Sequence, residues 1–254
     1  MASVRVRDLA IGEGVPKICV PIVAKTTEEI INEAASFIDL ELDLVEWRID
    51  WFEEIEDIDA VVALARMLNE TLGTDVPLLC TIRTASEGGE ATISVEDYCA
   101  LNRELIASGA VDLVDVELFL GDDVMSELVT YAHDNGVAIV ASNHDFDATP
   151  SHNEIIARLM HMQDLGADIL KIAVMPNSHR DVIELLAATE EMANEHVTQP
   201  IVTMSMSGKG AISRMCGEVF GSAITFGCAS KASAPGQIDV SDLRTLLTIV
   251  HHAL

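Results

Sequence analysis

Lysine is scarce in this sequence of 254 residues: Lys17, Lys25, Lys171, Lys209 and Lys231 complete the set. With arginine included, 15 basic residues face 42 acidic ones, a formal net charge of −27. A chain so acidic repels phosphate backbones and anionic bilayers, which argues against nucleic acid and membrane surfaces as partners. No apolar run reaches the roughly 20 residues that span a bilayer. The stretch Met1 to Ala10 carries Arg5, Arg7 and Asp8 and lacks the apolar block of a signal peptide. A soluble, cytoplasmic protein is therefore expected. Five cysteines (Cys19, Cys80, Cys99, Cys216, Cys228) form no Cys-x-x-Cys pair and no zinc-like spacing. Their odd number argues against a disulfide framework. Cys19, Cys80 and Cys228 lie in apolar strand-like runs and read as small buried hydrophobes in a reducing compartment. No Gly-x-Gly-x-x-Gly opens a helix after the first strand, and no His-Glu-x-x-His occurs, so dinucleotide and metal chemistry have no support. The histidines are scattered apart from His251-His252, which reads as a solvated helix end.

The acidic residues gather on predicted helix surfaces, as at Glu184, Glu190, Glu191 and Glu195. A halophilic origin accounts for them: in a salty cytoplasm the Debye length falls to about 3 Å at 1 M, and self-repulsion is screened.

Short runs rich in Val, Ile, Leu and Cys alternate with longer segments of helical period, the pattern of a parallel sheet covered by helices. The strand candidates are 17–24, 44–50, 77–84, 113–119, 138–146, 169–176, 200–206 and 223–229. Helical candidates include 94–108, which starts with a Ser-x-x-Asp cap at Ser94 and Asp97, 152–165 and 241–254. Gly109, Gly136 and Gly166 stand where helix ends are expected. Eight such repeats at this length point to a (β/α)8 barrel, a TIM barrel, rather than an open doubly wound sheet. No linker marks a second domain, so residues 1–254 read as one catalytic barrel. Residues 1–16 precede the first strand and suit a plug for the barrel bottom.

Charges recur where such strands should be apolar. Residues two apart share a strand face, so Glu46 points with Arg48, and Asp115 with Glu117. Arg83 ends the third strand and Glu87 follows in its loop; His144 ends the fifth; Lys171 lies within the apolar sixth. Singly, each is as well explained by a structural ion pair or a satisfied core histidine. On five successive strands, where buried charge costs several kcal/mol unless paired or used, a shared polar site explains them together. Desolvation and nearby arginines would lower the proton affinity of Lys171 and leave an amine able to attack a carbonyl; the bland alternative is that it only pairs with Glu46, Asp115 or Glu117. His144 suits proton transfer, with Glu87 orienting its ring. Arg48, Arg83 and Arg214, in a chain short of positive charge, suggest an anionic substrate. Phe146, Met204, Met206 and Phe226 suit the walls.

The motifs Gly-Glu-Gly-Val-Pro-Lys-Ile-Cys-Val-Pro-Ile from Gly12, Glu-Trp-Arg-Ile-Asp from Glu46, and Thr-Ile-Arg-Thr-Ala-Ser-Glu-Gly-Gly-Glu from Thr81 resemble the type I 3-dehydroquinate dehydratases. So do Asp-Val-Glu-Leu from Asp115, Ser-Asn-His-Asp from Ser142, Lys-Ile-Ala-Val-Met-Pro from Lys171 and Ser-Ala-Pro-Gly-Gln from Ser233. The resemblance implies a homodimeric barrel acting on 3-dehydroquinate in the shikimate route, without metal or organic cofactor. It makes Lys171 the Schiff-base lysine, His144 the proton-transfer group and Glu87 its carboxylate partner. Glu46, Arg48, Arg83, Arg214, Ser233 and Gln237 fall on substrate-binding positions, with Arg214 facing the substrate carboxylate. One departure stands out: Ser207 occupies a place where the family often has glycine, which leaves the path from Lys209 to Arg214 open. Two alternatives remain. A class I aldolase or transaldolase would use a similar lysine and read Ser207-Gly208-Lys209-Gly210 as a phosphate nest. A non-catalytic barrel that binds a small acid would need no such lysine.

Overall fold

The computed structural model describes residues 3–229 and 234–254. An antiparallel hairpin, β1 (Val4–Val6) and β2 (Leu9–Ile11), comes first. Eight parallel strands follow: β3 (Lys17–Ile22), β4 (Leu44–Arg48), β5 (Leu78–Thr81), β6 (Leu113–Glu117), β7 (Ala138–Asp145), β8 (Ile169–Val174), β9 (Ile201–Ser205) and β10 (Ile224–Cys228). Each lies inside one of the eight apolar runs. They pair in the order β10-β3-β4-β5-β6-β7-β8-β9. The circle closes where the Ala223 N–H donates to the Ile201 carbonyl at 2.8 Å, beside a parallel bridge between Ile201 and Ser222. The sheet is thus a closed (β/α)8 barrel. A short β11 (Ile238–Asp239) extends it beside the end of β10.

The covering helices are α1 (Thr27–Ser36), α2 (Ile58–Leu72), α3 (Val95–Ala107), α4 (Asp122–Asp134), α5 (His152–Asp164), α6 (His179–Glu191), the short α7 (Ala211–Met215) and α8 (Gly217–Phe220), and α9 (Val240–His251). The expected Ser-x-x-Asp cap starts α3: Ser94 Oγ accepts the Asp97 N–H at 3.1 Å. Gly109, Gly136 and Gly166 follow α3, α4 and α5 in left-handed backbone, as predicted. No helix among the described residues is long and apolar enough to cross a membrane.

Strand alternation divides the core in two. Outward residues such as Val20, Val45, Trp47, Cys80, Val114, Ile139, Leu170 and Ile201 pack under the helices. Inward residues at the start of each strand, among them Cys19, Leu44, Leu79, Leu113, Val140, Ile169, Val202 and Ile224, form an apolar floor. Val6 and Ile11 of the hairpin complete that floor, so the segment before the barrel plugs its bottom. Cys19 and Cys80 are buried as expected; Cys228, at the rim where β10 ends, is only half-buried. The polar inward residues therefore stand toward the opposite, C-terminal end of the strands.

Candidate active site

Two inward layers lie above the floor. The lower one includes Glu46, Thr81, Asp115, Ser142, Lys171, Met204 and Phe226; the upper includes Arg48, Arg83, Glu117, His144, Ala173 and Met206. Of nine predicted site residues, eight line one cleft of about 560 Å³, including its open mouth: Glu46, Arg48, Arg83, Glu87, His144, Lys171, Arg214 and Gln237. The ninth, Ser233, lies outside the described residues. The predicted walls Phe146, Met204, Met206 and Phe226 line the same cleft.

Lys171 Nζ is 3.1 Å from Asp115 Oδ2 and 3.6 Å from Glu46 Oε1, and 4.6 Å above the Phe226 ring. The sequence reading weighed arginines near this amine against pairing with Glu46, Asp115 or Glu117; the structure sets two of those carboxylates, Asp115 and Glu46, there. The reason is layering: Asp115 of β6 and Glu46 of β4 reach the barrel centre at the level of Lys171, and the guanidiniums occupy the layer above. Glu46 also accepts from Thr81 Oγ1 at 2.9 Å.

Arg83 is the hub of the upper layer. Its guanidinium donates to Asp115 Oδ1 at 2.7 Å, Glu117 Oε1 at 2.8 Å and Ser142 Oγ at 3.0 Å, with Glu87 Oε2 at 3.6 Å. Burial works against its charge, but Asp115, Glu117, Glu87 and Glu46 outweigh burial and raise its pKa. Burial likewise opposes the Asp115 charge, yet Arg83 and Lys171 hold that carboxyl below its ordinary value. Arg48 is committed too, making a bidentate pair with Asp50 at 2.7 Å for each bond.

His144 and Glu87 form the expected pair. Glu87 Oε2 is 3.0 Å from His144 Nδ1 and accepts the His144 N–H at 2.9 Å. Burial, then the positive charges of Arg83, Lys171 and Arg48, push the imidazole well below its ordinary pKa. Burial pushes Glu87 up to about 7, against the lowering influence of Arg83 and of an amide hydrogen bond from Asn143. With Nδ1 facing Glu87, Nε2 is the ring nitrogen left to exchange a proton with a ligand.

Arg214, on α7, differs from the other arginines. It is 1 % exposed, yet it has no carboxylate partner among the described residues. Its donors reach the Phe226 and Pro235 carbonyls at 3.3 Å each, and its buried Nε has no acceptor among the described residues. Burial brings its pKa down to about 10. A cation desolvated in this way is one that an anion would stabilise. The path from Ser207 to Arg214, open in the sequence, is a single 3-10 turn over Gly208–Gly210 leading into α7.

Sequence reasoning offered Asp115 and Glu117 only as possible ion-pair partners of Lys171, and it missed Asn143 and Arg158. The first two were visible as same-face strand carboxylates; the last two reach the site through contacts between a strand and a helix.

Comparisons with known proteins agree with this geometry. The family model for type I 3-dehydroquinase matches residues 18–253. A 3-dehydroquinate dehydratase of Escherichia coli (strain 55989 / EAEC) is 54% identical over 253 residues, covering 100% of both chains. A type I 3-dehydroquinate dehydratase of Clostridium difficile, solved with covalent modified comenic acid, is 50% identical, covers 100% of each chain and superimposes with a TM-score of 0.97. The 3-dehydroquinate dehydratase of Enterococcus faecalis is 48% identical over 97% of this chain and 98% of its own, with a TM-score of 0.91. With a closed barrel, the predicted residues in one cleft and relatives matched end to end, the chain belongs to the type I 3-dehydroquinase family.

Proposed function

We propose that this chain is a hydro-lyase that converts 3-dehydroquinate to 3-dehydroshikimate and water through an imine on Lys171, a step toward aromatic amino acids in the shikimate pathway. The observation that carries the reading is the placing of two reactive groups on neighbouring strands. Lys171 pairs in register with Ser142, which puts His144 one inward layer above the amine, roughly 6.5 Å along the strand. A ring ketone held in that cleft has the amine on one side and an imidazole on the other.

The steps follow from that geometry. Lys171 Nζ adds to the ring ketone, and loss of water gives an iminium; Asp115 and Glu46 stand beside the amine. The iminium withdraws electrons from the neighbouring C–H bond. His144 takes that proton to give an enamine, then returns it to the β-hydroxyl as the C–O bond breaks. Hydrolysis of the remaining iminium frees the product and the lysine. Dividing the elimination in this way avoids a free carbanion, and a positioned acid–base group typically adds roughly 10²–10⁴-fold. Phe226, with its ring face under the lysine, favours each cationic intermediate. Arg214 binds the substrate carboxylate, and Glu46, Arg48, Arg83, Ser233 and Gln237 bind the ring substituents. None of these steps calls on a metal or an organic cofactor.

The whole chain acts as one catalytic barrel, and we extend the proposal to a homodimer in a salty cytoplasm. The family resemblance supports the dimer, the free cysteines a reducing compartment, and the charge of −27 the salt. Sedimentation equilibrium at low and molar KCl measures the mass directly, and a monomer at both would reject the dimer. The aldolase alternative draws no support from its supposed phosphate loop, because Lys209 Nζ donates to the Asn177 carbonyl at 3.1 Å and does not line the cleft.

The test is borohydride reduction in the presence of 3-dehydroquinate, followed by peptide mass spectrometry. An adduct on Lys171, absent in Lys171→Ala, is expected, and Lys171→Ala should lose several orders of magnitude in turnover. A folded enzyme that turns over substrate without an adduct would reject the covalent route. One that binds substrate without turnover is the non-catalytic barrel.

A further inference from the structure

Strand β7 presents alternate residues to the two sides of the barrel wall. Ser142 and His144 face the cleft, whereas Asn143 between them faces the helix layer and is 1 % exposed. A buried amide needs partners for its oxygen and its nitrogen. Both partners of Asn143 are charged. Arg158, on α5, donates to Asn143 Oδ1 at 2.8 Å, and Asn143 Nδ2–H donates to Glu87 Oε1 at 3.2 Å. A guanidinium only donates and a carboxylate only accepts, so one amide orientation alone satisfies both. Arg158 is itself held, donating from Nε to Glu154 at 2.8 Å and lying 5.2 Å over the Phe119 ring. The two oxygens of Glu87 are thereby divided: Oε1 serves Asn143, and Oε2 serves the backbone and ring nitrogens of His144.

We infer that Asn143 and Arg158 are positioning residues for proton transfer, a relay from α5 through the Asn143 amide that fixes the Glu87 carboxylate against His144. The inference rests on the reading of Glu87 and His144 as the proton-transfer pair. The terminal torsion of a glutamate is broad and has no sharp preference of its own. Without a donor on Oε1, the carboxylate turns and carries Oε2 away from Nδ1, and the imidazole loses both its tautomer and its aim. Neither Asn143 nor Arg158 lines the cleft, so both act through Glu87.

The same bond has an electrostatic effect of known sign. A hydrogen bond donated to a carboxylate favours its charged form, so Asn143 lowers the pKa of Glu87. The other charged groups facing Glu87 are Arg83 at the end of β5, Glu117 and Asp115 of β6, and His144 of β7. All remain when Asn143 is replaced. Removing the amide therefore raises the proton affinity of Glu87, and the pair takes up its proton at higher pH. A mere clip between α5 and β7 would change stability and leave the pH profile in place.

The test uses Asn143→Leu, Arg158→Met and Arg158→Lys in the full chain, with steady-state kinetics on 3-dehydroquinate across about pH 5 to 9. Asn143→Leu should lower kcat on the order of tenfold with KM little changed, and move the acid limb of kcat/KM upward. Arg158→Met should shift both the same way by less, and Arg158→Lys should recover most of the loss. Arg158 is only partly buried on a helix, so its variants decide the matter even if Asn143→Leu does not fold. Wild-type kcat and an unmoved acid limb in Arg158→Met, whatever happens to its melting temperature, would overturn the relay. Glu87→Gln separates the two levels of the argument. If that variant alone keeps full turnover, the Glu87–His144 reading fails; if it loses turnover while the relay variants keep it, only the relay fails.

Discussion

Arg214 is buried at a cost. Its charge is buried, and its nearest acceptors are neutral carbonyls at 3.3 Å. Arg214→Met removes that charge while keeping most of the volume, so the free enzyme should melt at an unchanged or higher temperature. Binding should suffer instead, because a charge-assisted pair with the substrate carboxylate is worth about 1.5–3 kcal/mol, roughly tenfold to a hundredfold in kcat/KM. An unchanged kcat/KM would take Arg214 out of the site. Arg48 gives the opposite stability result: Arg48→Met strands the Asp50 carboxylate, whose side chain has no exposure, and should lower the melting temperature. Sequence alternation correctly named the residues that face the cleft and the Glu87–His144 pair, but not the Arg83 hub or the Arg48–Asp50 pair. Lys171 meets Asp115 and Glu46 because three strands bring their middle residues to one level, and that level follows from register between strands, which spacing along one strand does not carry.

The strands were legible because each is buried on both faces and reads as an apolar run, and the helices because caps and glycines punctuate them. The short pieces were not. The bottom hairpin, β1 with β2, has only six residues in strand and polar neighbours, and α7 and α8 are too short to show a period. The Ser207 departure is the instructive case. Its backbone sits at φ 60° and ψ 176°, a region that is essentially glycine's and costs another residue about 1–3 kcal/mol. The conformation is imposed by the loop after β10: the Ser207 N–H donates to the Pro235 carbonyl at 3.0 Å, and Gly236 packs so tightly on the Ser207 carbonyl that a Cβ there would collide. Pro235 also accepts from Arg214, so Ser207 helps seat the loop that carries Gln237. Ser207→Gly should release this strain; after the entropy that glycine costs, about 1 kcal/mol of stabilisation remains. Denaturation in urea measures it, and a midpoint unmoved or lowered would mean that the serine side chain offsets the strain.

At the scale of the whole molecule, repeat number and chain length pointed to a barrel, and closure of β9 onto β10 is what makes it one. The surface is set by charge, and the charge of −27 has two opposed consequences in salt. Screening relieves the mutual repulsion of 42 acidic residues, which favours the compact state. Screening also weakens the exposed ion pairs, such as Arg103–Glu127 and Arg180–Glu184. Magnitudes decide between the two. Exposed pairs contribute about 0–1 kcal/mol each and only a handful exist among the described residues, whereas the repulsion is summed over every acidic pair closer than the Debye length. That length falls from about 10 Å at 0.1 M to about 3 Å at 1 M, so relief continues well above ordinary ionic strength. The melting temperature should therefore rise between low and molar KCl, and should rise equally in NaCl if screening is the cause. A rise with KCl alone would point to bound potassium. A flat or falling curve would mean that the acidic surface is no adaptation to salt, and that the helix contacts beneath it already outweigh the repulsion.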